Sequence, residues 1–328
     1  MEQVFQALVT IAIGVGGCAL WYWASNTVLD TVFPARGPNA GSNINKTNLI
    51  RPWLFVGPAV VILAAYLIYP VVNTLYRSFM DKSSTNFVGT SNYSWLLADG
   101  KFHESMLNQF LWLLVVPALA TFFGLLAAQL TDRIRWGNFG KSLIFMPMAI
   151  SFVGAGVIWK FVYANSDGNQ IGLLNAVVQF FGGEPQHWLQ LPFWNNIFLM
   201  VVLVWIQAGF AMVILSAALR GIPEDTIEAA IIDGANPFQI FFKIKVPQIA
   251  STIGVVWTTI TITVLKVFDI VYVMTNGEWG TQVLANMMYD LLFDQSDYGR
   301  GSAVAIVIMI LVLPIMWWNV RNARKELR

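Results

Sequence analysis

Charge is scarce in this sequence. Of its 328 residues only 11% are Asp, Glu, Lys or Arg, where a soluble domain carries about 25%. Cysteine is nearly missing. Cys18 stands alone inside an apolar run, so neither an internal disulfide nor a cysteine-based metal site can form. Histidine is confined to His103 and His187, both in polar stretches, which argues against a histidine metal site. Net charge is +1 and no basic stripe stands out, which argues against nucleic-acid binding. No Walker A motif is present. The run Gly137-Asn138-Phe139-Gly140-Lys141-Ser142 imitates its end, but the motif's first Gly would fall at Arg135. Lys141 reads instead as a basic anchor opening a membrane span. No Ser/His/Asp or Cys/His arrangement points to an enzyme, and neither internal repeats nor low-complexity segments occur.

What is abundant is apolar. Hydrophobic residues make up 57% of the chain, with 14 Trp and 23 Phe. Low charge with long apolar runs implies an all-α polytopic membrane protein. Seven stretches are long enough to span as helices: 4–23, 53–72, 109–130, 142–163, 195–217, 249–274 and 301–320. The first lacks a basic leader and an evident cleavage site, so it reads as a span and not as a signal peptide. A six-span alternative lays this helix on the membrane surface.

Lys and Arg then set orientation. One side carries thirteen: Arg36, Lys46, Arg51, Arg133, Arg135, Lys141, Arg220, Lys243, Lys245, Arg321, Arg324, Lys325 and Arg328. The other carries four: Arg77, Lys82, Lys101 and Arg300. The expected topology is N-terminus outside and C-terminus cytoplasmic. Residues 24–51 are rich in Asn, Gly and Pro and read as a linker. Residues 1–52 are thus one helix plus linker, and residues 53–328 a six-helix domain. The larger external loops are 73–107 and 164–194, with turn chemistry at Asn165-Ser166-Asp167-Gly168-Asn169.

The loop 221–247 is the most informative segment. Pro223 suits a first helical turn, and Glu224 and Asp225 favour its positive end. Ile227, Ala230 and Ile231 give a short apolar stripe, and Gly234 stops the helix. A second short helix follows from Pro237. This pattern suggests a docking knob for another subunit. A helix lying on lipid would need a Lys/Arg-rich polar face, whereas this one is acidic.

The phrase Glu228-Ala229-Ala230-Ile231-Ile232-Asp233-Gly234-Ala235, with Phe238 three residues on and Pro247 closing the loop, resembles the coupling motif of bacterial ABC importer permeases. Leu265 to Gly277, Asp297 to Ala303 and Phe87 to Tyr93 resemble the carbohydrate-uptake branch. Where that branch usually shows Gly-Gly-Pro, this chain has Gly277-Glu278-Trp279-Gly280. With the extra first helix, the chain is most similar to the α-glucoside permease subgroup, related to the larger membrane subunit of maltose importers. The resemblance covers about residues 50–328 and implies a type I importer permease core in the bacterial inner membrane. It implies that Glu224, Glu228, Ala229, Ala230, Asp233, Gly234, Ala235 and Phe238 couple to the ATPase. It implies a second permease, two cytoplasmic ATPase subunits and an external sugar-binding protein as partners. ATP and Mg would bind the ATPase subunits, and this chain would need no cofactor.

Polar groups within spans are costly unless they face protein or a water-filled path. Thr252, Thr259, Thr263 and Lys266 share one helix face, and Gln207 and Phe210 stand in the preceding span. From residue types alone, interhelical hydrogen bonding is the simpler account. The resemblance places Gln207, Phe210, Thr263 and Val267 at positions lining a sugar site. Together with Thr259, these form the candidate substrate path. Lys266 and Asp269, three apart, read as a structural bridge in preference to a proton relay. The function expected is import of an oligosaccharide or α-glucoside (maltose, sucrose or trehalose type, or a related glucosyl solute) by alternating access. The alternative is an ion- or proton-coupled secondary transporter, which would require a mid-membrane ionisable residue and inverted repeats. A channel would require a filter-like repeat.

Overall fold

The computed structural model describes residues 2–132, 134–166 and 170–326. Of the residues singled out above, Arg133, Asp167, Gly168, Asn169 and Arg328 lie outside the described set. Among the described residues the structure is helical apart from loops and one two-residue antiparallel pair, β1 (Asn165–Ser166) with β2 (Gln170–Ile171). The chain divides into two compact units, Met1–Asn73 and Thr74–Arg328. The 52/53 division falls inside a continuous helix.

In the first unit α1 (Glu2–Val32) and α2 (Ala40–Leu63) form a hairpin. Trp21 Nε1 donates to the Leu54 carbonyl at 2.9 Å, Arg51 meets Asp30 at 2.8 Å, and the Tyr22 and Phe55 rings lie 4.7 Å apart. These contacts correct the reading of 24–51 as a linker. Only 33–39 leaves the helix, where Pro34, Gly37 (φ +92°) and Pro38 gather. Asn26 and Thr27 do not break α1 because their side chains donate to carbonyls one turn back, Tyr22 at 3.2 Å and Trp23 at 2.8 Å. Beyond α2 a π turn at Ala64–Ile68 leads into α3 (Tyr69–Arg77). The π turn accommodates Pro70, whose ring would clash with the carbonyl of Tyr66 in a regular helix.

The second unit contains α4 (Ser91–Ala98), α5 (Gly100–Thr131), α6 (Gly137–Phe145), α7 (Phe152–Val162), α8 (Leu173–Phe180) and α9 (Trp194–Arg220). It continues with α10 (Glu224–Ile232), α11 (Pro237–Gln239), α12 (Val246–Gln248), α13 (Ala250–Leu265), α14 (Asp269–Met274), α15 (Leu284–Tyr289) and α16 (Tyr298–Glu326). The core is the α5–α9 contact, crossed by α13, with Trp112, Val116, Leu203, Met212, Leu215 and Ile260 fully or almost fully buried. Gly124 permits this approach: a Cβ there would sit 2.4 Å from Ala211 Cβ. Gly209 does the same for α6, where a Cβ would lie 2.5 Å from the Ile144 carbonyl oxygen.

Among the described residues five helices are long and apolar enough to cross a membrane: Val4–Val32, Ala40–Arg77, Gly100–Thr131, Trp194–Arg220 and Tyr298–Trp318. The count reaches seven when two bent pairs each make one span. Two expected spans are not continuous helices. The stretch 142–163 bends by 105° at Ile150-Ser151, after a 3-10 turn containing Pro147, and Ser151 Oγ starts α7 by accepting from the Gly154 N–H at 3.0 Å. The stretch 249–274 stops at Leu265, leaves the helix over 266–268 and restarts as α14. There the Val264 carbonyl accepts from Gln109 Nε2 at 3.0 Å, and also from the Val267 N–H. Non-helical backbone at membrane depth is tolerated where it lines a cavity or is buried in protein, so both breaks point to a site.

Candidate functional site

The two breaks face a common space. One cavity of about 440 Å³ is bordered by Ser151, Phe152, Ile206, Gln207 and Asp269. A smaller one of about 130 Å³ is bordered by Phe152, Thr263, Lys266, Val267 and Asp269. Phe152 and Asp269 belong to both. Helix α9 supplies Gln207, the end of α13 supplies Thr263, the start of α7 supplies Phe152, and the first turn of α14 supplies Asp269. Among the described residues the side chains of Gln207, Lys266 and Asp269 make no hydrogen bond or ion pair. Lys266 and Asp269 therefore do not form the expected bridge: the helix breaks between them, so helical i, i+3 spacing does not apply. Thr263 donates to the Thr259 carbonyl at 3.2 Å and keeps its lone pairs available. A carboxylate, an ammonium, an amide and a hydroxyl beside a flat Phe152 wall suit a hydroxyl-rich solute with apolar C–H faces.

Of the candidate path residues, Gln207, Thr263 and Val267 border these cavities. Phe210 packs on the α5–α9 core instead. Thr259 is exposed, and its hydroxyl donates to the Val255 carbonyl at 2.8 Å. Ser151, Phe152 and Asp269 border the cavities without having been singled out as path residues. The signal that would have found them is the Pro147 break ahead of α7 and the charged interruption Lys266–Asp269.

At the far end of α5 and α9 lies the second element. Helix α10 begins after Pro223 and ends in a turn where the Ala235 N–H bonds the Ala230 carbonyl at 3.0 Å, with Gly234 at φ +81°. Asn236 and Gln239 then cap α11 reciprocally at 2.8 and 2.9 Å. Another π turn, Ile240–Lys245, precedes Pro247. Ala230 and Ile240 are buried within the chain, Ile227 is half-buried and Ala235 partly so. Glu224, Glu228, Ala229, Asp233, Gly234 and Phe238 are exposed. Ile231, Ile232, Phe238 and Phe242 form an exposed apolar cap, with the Phe238 and Phe242 rings 4.5 Å apart. The apolar residues of α10 thus divide: Ile227 and Ala230 turn inward, and Ile231 and Ile232 stay outside.

Behind α10 a cavity of about 580 Å³ is bordered by Asp132, Arg220, Glu224, Glu228 and Lys245. Asp132 joins three helix ends here. It pairs with Lys141 of α6 and with Arg220 of α9 at 2.8 Å, and accepts from Ser216 at 3.2 Å. Burial pushes the Asp132 carboxyl upward, but hydrogen bonds and charge from Lys141 and Arg220 outweigh it and hold the carboxyl below the ordinary range.

At the opposite end of α5 and α9 the turn Thr275–Gln282 is pinned by side-chain amides. Asn108 donates to the Gly280 and Gln282 carbonyls at 3.0 and 2.8 Å, and Asn195 and Asn196 to Trp279 and Gly280 at 2.6 and 3.0 Å. The bond to the Trp279 carbonyl helps hold that residue at φ +57°, an unfavourable region for side-chain-bearing residues.

The chain is similar to known proteins. Residues 120–327 match the family described as the binding-protein-dependent transport system inner membrane component. The alpha-glucoside transport system permease protein AglF of Rhizobium meliloti is 63% identical, covering 99% of this chain and 99% of that protein. The osmoprotective compounds uptake permease protein GgtC of a Synechocystis strain is 49% identical over 84% of this chain and its own full length. Among solved structures, a chain of a bacterial ABC transporter involved in import of the acidic polysaccharide alginate superposes with a TM-score of 0.73 at 19% identity, covering 86% of this chain and 98% of that one.

Proposed function

We propose, on the premise that the chain belongs to the family of binding-protein-dependent transport system inner membrane components, that it conducts an α-glucoside or related glucosyl solute across the bacterial inner membrane. The chain is a permease subunit of an ABC importer and not an enzyme. The observation that carries the substrate reading is the pair of cavities at the helix breaks. Gln207, Lys266 and Asp269 present unpaired polar groups there beside Phe152, an arrangement lipid would penalise and a sugar would satisfy. Support for α-glucosides comes from the near full-length likeness to AglF.

The partners are a second permease, two cytoplasmic ATPase subunits that bind ATP and Mg, and an external sugar-binding protein. Helix α10 and its apolar cap seat in an ATPase cleft, with Glu224, Glu228, Ala229, Asp233, Gly234, Ala235 and Phe238 at or beside the contact and Ala230 packing α10 onto its own chain. ATP-driven closure moves α10, and the motion reaches α5, α6 and α9 through the Asp132 cluster. The N-terminus faces outward and the C-terminus the cytoplasm. Residues 1–52 are an accessory segment and 53–328 the permease domain.

The test is uptake by the assembled transporter in proteoliposomes, with maltose, sucrose and trehalose as probes. Gln207→Ala and Asp269→Asn are expected to weaken sugar uptake several-fold while both variants still co-purify with the ATPase subunits. Normal transport by both places the site elsewhere. Failure of wild-type chain to recover any ATPase subunit overturns the importer reading and revives a secondary transporter.

A further inference from the structure

Four aromatic rings form a connected series between the exposed surface near α15 and the cavity at the α13–α14 break. Phe293 is 67% exposed. Its ring centroid lies 4.8 Å from Tyr289, and Tyr289 lies 5.1 Å from both Phe268 and Tyr272. Phe268 and Tyr272 stack at 5.0 Å with an interplanar angle of 25°. Phe268 itself borders the smaller cavity, beside Val267 and Asp269. The series therefore begins at an open ring and ends at the wall of the candidate substrate site.

The local fold builds this series deliberately. A π turn at Asp290–Asp294 follows α15 and brings Tyr289 and Phe293 together on one face. The break at 266–268 turns Phe268 back toward Tyr272, one turn on. Tyr272 and Phe293 keep exposed faces, whereas Phe268 and Tyr289 are half-buried and support them. Asp290 and Asp294 sit on the same turn, so hydrogen-bond acceptors flank the rings. A core cluster would bury all four rings. Here Phe268, Tyr272 and Tyr289 touch one another, Phe293 extends the group outward from Tyr289, and two of the four rings stay exposed.

We propose that Phe293, Tyr289, Tyr272 and Phe268 are an aromatic ladder that binds pyranose rings in transit toward the cavity. Each exposed ring offers a flat apolar plane to the C–H face of a sugar, and the tyrosine hydroxyls and the exposed Asp294 carboxylate bond its hydroxyls. Because the two exposed rings, Phe293 and Tyr272, both adjoin Tyr289, they can hold neighbouring sugars, so the group favours a glycan of two or three residues over a single sugar. This inference rests on the reading of the chain as a glucoside importer.

The experiment uses the complete transporter in proteoliposomes with glucose, maltose and maltotriose as probes. Tyr289→Leu and Phe293→Ala are expected to raise the half-saturating concentration several-fold, more for maltotriose than for maltose, with the maximal rate little changed. Tyr289→Phe is expected to restore most of the loss, since it keeps the ring. Complex recovery reports folding. Wild-type concentration dependence in Tyr289→Leu and Phe293→Ala, or an equal shift for all three probes, overturns the ladder while leaving the importer reading intact. If the wild-type chain transports none of the probes, it is the glucoside reading that fails.

Discussion

Asp290 is a carboxylate that its surroundings disfavour. Burial raises its pKa above the ordinary value of 3.8, and Asp294 and Glu278 add to the shift, while the Gln282 amide at 2.8 Å and the Lys101 charge oppose it. Its Oδ1 is buried without a partner. A raised carboxyl pKa contributes stability that is complete below the ordinary value and is lost as pH rises through the raised one. Asp290→Asn, which cannot ionise, is expected to raise the melting temperature at neutral pH and to give no gain below the ordinary carboxylate range. Thermal melts of the purified complex at the two pH values check this; equal gains at both would assign the effect to packing. Asp290 also shows what a sequence conceals at this scale. Gln207 and Thr263 sit on long helices and Val267 just past the end of one, and the resemblance to importer permeases marked all three. Asp269 and Phe152 were not legible, because each begins a helix after a break, where periodicity no longer predicts direction. Phe210 misled for the opposite reason: an aromatic one turn from a polar residue need not share its cavity, and this one packs against the core.

Among the elements, the loop 221–247 was the easiest to read and the broken spans the hardest. The acidic start of α10 and the Gly234 stop are local chemistry, and both stand where the sequence puts them. The division of its apolar residues between an inner and an outer face was hidden, since it depends on how α10 folds back over Ile240 and the ends of α5 and α9. Gly234 allows a sharp test. A Cβ there would meet nothing within 4 Å, so the cost of a side chain is backbone strain at φ +81° and not a clash. That strain is about 1–2 kcal/mol for a general residue and less for Asn or Asp, which tolerate this region. Gly234→Asn and Gly234→Asp are thus similar in backbone cost and differ in charge. If the apolar cap seats in a partner, Gly234→Asp should impair sugar-stimulated ATP hydrolysis several-fold and Gly234→Asn much less. Wild-type stimulation in Gly234→Asp would remove α10 from the transmission route.

For the whole molecule, the outstanding property is direction. The α10 end gathers Arg135, Lys141, Arg220, Lys243 and Lys245. The end carrying α4, α8 and the Thr275–Gln282 turn has Lys82, Lys101 and Arg300. In the first unit the turn 33–39 contains Arg36 and is followed by Lys46 and Arg51. A membrane retains Lys- and Arg-rich short loops on its cytoplasmic side, so α10 is expected in the cytoplasm and α8 outside, and the rule applied to the first unit by itself predicts a cytoplasmic turn 33–39. That polarity also gives the aromatic series its sense, from an outer entrance inward. We expect a reporter fused after Asn39, or after Arg328, to report cytoplasm, and one fused after Gly183 to report the outside. Gly183 is the most informative position, because it follows α8 in the loop between the bent pair α6–α7 and α9. If α6 and α7 cross the membrane together despite their 105° bend, Gly183 lies opposite α10. Because α9 separates Gly183 from α10, a cytoplasmic signal at Gly183 would put α10 outside and overturn the whole span assignment.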